Sequence, residues 1–153
     1  MSTKHPLPAL RVWLLAACAL FLCAGAAHAK DWKLEAVLVW ATNADKSPNP
    51  KHKPVDAEIK RKLSDLPLKW KNYFEVNRET FVVRQGGSAE VALSEKCKVN
   101  VKHADGKNAE VSLIGKGEQV LKRIQPLPNG EMLVLGGNAP DETGWLVVLK
   151  RLE

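Results

Sequence analysis

Residues 34–42, LEAVLVWAT, carry branched apolar side chains at both parities. A strand with one face in water alternates, so this run predicts a strand covered on both faces, or one with a helix packed over it. The pattern then breaks at NADKSPNPKHKPVD, where Pro48, Pro50 and Pro54 prevent regular pairing and the charges require water. Residues 42–54 are therefore expected to form an exposed Pro/Lys loop. The period changes again in VDAEIKRKLSDLP, with Val55, Ile59, Leu63 and Leu66 at helical spacing, Asp56 placed to cap and Pro67 placed to stop. One short helix is predicted over 55–66, with Lys60, Arg61 and Lys62 mostly off its apolar stripe.

From Tyr73 onward the period is two. Strands are predicted at Tyr73–Asn77, Thr80–Arg84, Ala89–Ser94, Cys97–Lys102, Ala109–Ile114, Gln119–Gln125, Met132–Leu135 and Trp145–Arg151, broken by QGGS, ADGKN, GKG, PNG and GGNAPDETG. CKVNVK is the clearest, with Cys97, Val99 and Val101 on one face and Lys98, Asn100 and Lys102 on the other. LPNGEM is the strongest hairpin signal, because Asn129-Gly130 accepts positive φ. Alternation through NYFEVN places Phe74 and Val76 on the buried face and Tyr73, Glu75 and Asn77 on the other. The last strand, GWLVVLKRLE, is apolar enough to require a place inside a sheet, since a flat apolar edge invites aggregation. The expected fold is mainly β, an antiparallel β-sandwich or barrel-like domain of about eight or nine short strands with one short α-helix.

The N-terminus changes what this domain is for. Lys4 and Arg11 precede an apolar run, Val12–Ala27, and the small-residue pattern Ala27-His28-Ala29. That is a secretory signal peptide over 1–29 with cleavage after Ala29. Its apolar run is shorter than the roughly 20 residues a transmembrane helix needs, so no membrane span is expected in the mature form. LAAC, ending at Cys18, resembles a bacterial lipobox and offers an alternative address, a lipoprotein anchored through Cys18. Cleavage after Ala29 leaves residues 30–153 as a single β-rich domain with Cys97 as its one cysteine, which excludes an intramolecular disulfide. It also removes two of the 23 basic side chains and none of the 17 acidic ones, lowering the net charge from +6 to +4. Between Lys46 and Lys71, eight basic residues face three acidic ones, so the positive field belongs to one segment.

Candidate chemistry is sparse. Cys97 and His103 share a strand face but lie about 20 Å apart along a continuous strand, beyond proton transfer. His52 and His103 have no partner at a metal-ligand spacing, and Asp141 and Glu142 in GGNAPDETG lack the oxygen-donor spacing of a calcium loop. GKGEQV falls short of a phosphate-binding loop, and there is no Gly-x-Ser-x-Gly elbow. Catalytic residues stay unassigned, and neither a metal nor a cofactor is implied. Trp70, Tyr73, Phe74 and Phe81 beside the basic segment suggest a nucleic-acid strip, but export and the opposite parities of the rings argue against one.

The order of signal peptide, strand, Pro/Lys loop, short helix, WKNYFEVNR and short strands ending GGNAPDETGWLVVL resembles small exported bacterial β-rich proteins of uncharacterised function. The resemblance implies export and a β-rich fold, and brings no residue roles. The leading expectation is an exported, non-catalytic binding or assembly module of the bacterial cell envelope, meeting an envelope protein or anionic polymer. Its candidate partner-binding residues are Lys51, Lys53, Lys60, Arg61, Lys62, Lys69, Trp70, Lys71 and Tyr73. The alternative is a small extracytoplasmic hydrolase whose site is assembled from separated strands, for which converging carboxylates, Tyr73 or His103 in a deep pocket would be the sign.

Overall fold

A computed structural model describes residues 30–153. The expected signal peptide, the expected cleavage after Ala29 and Cys18 of the lipobox-like LAAC lie outside the described residues. Nine strands and one helix follow in the order β1 (Trp32–Thr42), β2 (Lys53–Pro54), α1 (Ala57–Ser64), β3 (Asn72–Val83), β4 (Ser88–Ser94), β5 (Cys97–Asp105), β6 (Asn108–Gly115), β7 (Glu118–Pro126), β8 (Met132–Asn138) and β9 (Gly144–Arg151). They build two antiparallel sheets, ordered β2-β3-β1-β9-β8 and β4-β5-β6-β7. The sheets do not close on one another, so the barrel alternative is replaced by an open, sandwich-like pair.

β1 explains the layering. Its even positions Trp32, Leu34, Ala36 and Leu38 join Val99, Val101, Val111 and Leu113 of the second sheet in one core. Its odd positions Val37, Val39 and Ala41 join Ile59 and Leu63 of α1, with Val55, Trp70 and Tyr73, in another. Both faces of β1 are thus dry, as its unbroken apolar run predicts. β9 lies beside it between β1 and β8, inside the sheet. The helix is capped by Asp56, whose Oδ1 accepts from the Ile59 N–H at 2.9 Å.

Three expectations fail for identifiable reasons. Tyr73–Asn77 and Thr80–Arg84 are one strand, β3, and its pairing with β1 slips between Leu38 and Val39, leaving Val76 as an extra residue. The bulge reverses the parity, so the helix-side face carries Tyr73 and Glu75 before it and Arg78 after it. Tyr73 and Glu75 are therefore buried, while Phe74 and Val76 are only half-buried, the reverse of simple alternation. LPNGEM does turn, with Gly130 at φ 80° and the Glu131 N–H donating to Pro128 O. The strands on its two sides enter different sheets, however, and the segment crosses the sandwich with Leu127 buried.

Candidate functional site

The nine partner-binding candidates are not gathered into one surface. Trp70 and Tyr73 are 8% and 9% exposed and belong to the helix-side core. Trp70 donates from Nε1 to Glu142 O at 2.8 Å, and its ring lies where a Cβ on Gly144 would have to sit. It ties the β8–β9 loop to the helix layer. The Tyr73 hydroxyl donates to Trp70 O at 3.0 Å, and burial raises its pKa. Lys69 lies over the Trp70 ring with Nζ 5.4 Å from the centroid. Lys53 pairs with Glu75 at 3.5 Å. Lys60 and Lys71 border a depression with Asp45, whereas Arg61 and Lys62 border a separate one with Glu58, Asp65 and Glu131. Lys51 is exposed on the loop. Basic and acidic groups are mixed in both depressions.

Carboxylates do converge beneath the start of α1, on Arg78. Its Nη1 donates to Glu35 Oε1 at 2.6 Å, and its Nη2 to Asp56 Oδ2 at 2.7 Å and Glu75 Oε2 at 2.8 Å. Residues three apart on a regular strand face opposite ways; the Val76 bulge is what lets Glu75 and Arg78 meet. The Arg78 hydrogen bonds outweigh burial and hold the Glu75 carboxyl below its ordinary pKa, with Lys53 adding to the effect. For Asp56, burial pushes upward but is outweighed by the Ile59 N–H and Arg78, and its pKa also falls. A general acid needs the opposite shift. The cluster is a hydrogen-bonded clamp joining the helix cap, β1 and β3.

The two ends of the sandwich differ. At one end Trp32 packs on His103, ring centroids 3.9 Å apart, Arg151 lies over Trp32 at 4.5 Å, and Leu127 is buried beside them. At the other, where β1 ends and β9 begins, the sheets part around a cleft of about 410 Å³. Leu38, Trp40 and Trp145 wall it from the first sheet, and Cys97, Gly115 and Val120 from the second. Gly137 faces Trp145 across the β8–β9 pair, and a Cβ there would meet nothing within 4 Å. The missing side chain helps to leave this end unfilled.

Lys96 and Lys116 stand at the cleft, one from the β4–β5 turn and one from the β6–β7 turn. The Lys116 N–H donates to Lys96 O at 2.8 Å, so the two turns are fixed side by side. An outer depression shares Trp40, Trp145 and both lysines, and adds Asn138–Asp141 of the β8–β9 loop. Burial raises the Cys97 pKa, leaving it a thiol rather than a nucleophilic thiolate. Trp40 Nε1 is enclosed without a hydrogen-bond partner among the described residues. Sequence reasoning missed this site because Trp40 and Trp145 are 105 positions apart and read as core residues of their strands. The one local signal was GKG, where Lys116 occupies a turn position at φ 52° that suits Asn or Gly better.

Comparison with protein-family models, curated proteins and solved structures finds no match to this chain.

Proposed function

We propose that this protein is an exported, non-catalytic binding module of the bacterial cell envelope, and that its ligand enters the end cleft between the sheets. The observation that carries the reading is the apolar, two-tryptophan cleft at one end of a sandwich whose other end is plugged. Concave apolar sites with a few polar groups at the rim are the common form of small-molecule sites. Among the described residues, the cleft lining carries no carboxylate and no histidine, and its one thiol is held protonated. Tyr73 and His103 belong to different cores, and the carboxylates that converge do so on Arg78 and do not line the cleft. The signal-peptide pattern of residues 1–29 supports export, with Lys30 or a lipidated Cys18 as the first mature residue.

A neutral apolar dye, Nile red, tests the reading directly. A single dye per chain is expected, with blue-shifted emission and slower alkylation of Cys97 by a small maleimide. Absence of both effects would sink the cleft as a ligand site. Intact-mass measurement on the protein recovered from the envelope fraction tests the address, and retention of residues 1–29 in a cytoplasmic protein would contradict export.

A further inference from the structure

We propose that the end cleft binds a single-chain anionic amphiphile, with its alkyl chain between Trp40 and Trp145 and its head group beside Lys96 and Lys116. This rests on the cleft being a ligand site, and adds the chemistry of what enters it. Leu38, Val120 and the two indoles offer an apolar surface on which methylene groups leave water favourably. Those walls would serve any apolar molecule. The lysines are what select among them.

The backbone bond from Lys116 to Lys96 O fixes the two lysine-bearing turns side by side, and both lysines line the cleft and its outer depression. Neither ammonium pairs with a carboxylate within 4.0 Å among the described residues. Asp141 borders the outer depression, but its Oδ1 accepts from the Thr143 N–H at 3.3 Å and from the Thr143 hydroxyl. Glu95 shares with Lys96 and Lys98 a different depression, together with Glu90. Like charges brought together repel unless an anion lies between them, and an anionic head group supplies that partner. Lys116 also bears the cost of a left-handed backbone at φ 52°. Placing lysine there sets a second positive charge at the mouth.

The test is calorimetric titration of the purified protein with decanoate and with 1-decanol, below the concentrations at which they aggregate. Decanoate is expected to bind about tenfold or more tightly than decanol, as a charge-assisted contact to lysine requires. The double variant Lys96→Gln, Lys116→Asn should reduce decanoate to the affinity of decanol and leave decanol unchanged; Asn tolerates the backbone at position 116. Trp145→Ala should weaken both ligands. Equal affinities in the unaltered protein, or decanoate binding unaffected by the lysine changes, would overturn the anionic head group while leaving the cleft reading intact. Failure of both ligands to bind would remove both. Anionic phospholipid vesicles form a third arm, and attachment to vesicles without binding of free decanoate would replace the amphiphile site with a membrane surface.

Discussion

Arg78 is the residue whose removal should be felt most outside the apolar cores, because it pairs with Glu35, Asp56 and the buried Glu75 together. Arg78→Met leaves the Glu75 charge buried with only the exposed Lys53 beside it. Breaking a buried pair costs about 3–5 kcal/mol, and partial exposure of the guanidinium brings the expected loss to about 2–3 kcal/mol, measured by urea unfolding at neutral pH. The pH dependence has a definite sign. Glu75 and Asp56 have lowered folded pKa values, so their contribution is fully present above the unfolded carboxylate range and is lost as pH falls through the folded values. Melting temperature should therefore fall as the pH is taken below about 4, the ordinary carboxylate range, and more gently in Arg78→Met than in the unaltered protein. Trp40→Phe runs the other way. It gives up some apolar contact but also removes an enclosed N–H without a partner, so a change in stability within about 1 kcal/mol is expected in the same unfolding assay. Neither the clamp nor the cleft was legible at this scale. The bulge at Val76 leaves no trace in NYFEVNRETF, where alternation alone puts Glu75 and Arg78 on opposite faces.

Elements with a strong internal period were more legible. The stripe Val55, Ile59, Leu63 and the cap Asp56 identify α1, and its buried face is Ile59 and Leu63. Leu63→Ala should cost about 2–5 kcal/mol, because the fully buried side chain covers the outer face of β1 and β9. Asp56→Ala should cost about 1 kcal/mol through the lost cap. Neutralising Lys60, Arg61 and Lys62 to Gln should change stability by no more than about 0.5 kcal/mol, since Lys60 and Arg61 are exposed, Lys62 is half-buried, and none of the three forms an ion pair among the described residues. A loss from the lysine changes equal to that from Leu63→Ala in parallel denaturation curves would mean that the helix is held by its charges rather than by its stripe. The hairpin at LPNGEM shows the limit of local signals. Asn-Gly specifies a turn, but which strands pair beyond it depends on which faces remain unburied. The apolar β8 completes the sheet beside β9, while β7 ends the other sheet with Val120 and Ile124 exposed.

On the scale of the molecule, β1 and β9 each put two or more buried residues into both cores, whereas β3 gives one buried residue to each and β8 gives its buried residues to one core only. β1 is hydrogen-bonded to β3 on one side and β9 on the other, and covered by α1 on one face and the second sheet on the other. Its amides can reach water only if both layers open. Trp70 adds a further tie, because its contact with Gly144 and its bond to Glu142 anchor the β8–β9 loop to the helix layer. β7 has a free edge, and its residues are largely exposed. Native-state hydrogen exchange should therefore show β1 and β9 exchanging only through global unfolding, with β7 and residues 43–52 exchanging through smaller openings. Loss of α1 ellipticity and of tryptophan emission should coincide on heating, since the helix has no core apart from the sheet it covers. If β1 amides exchanged as fast as those of β7, or α1 melted first, the two cores would be independent and β1 would not be the strand that joins them.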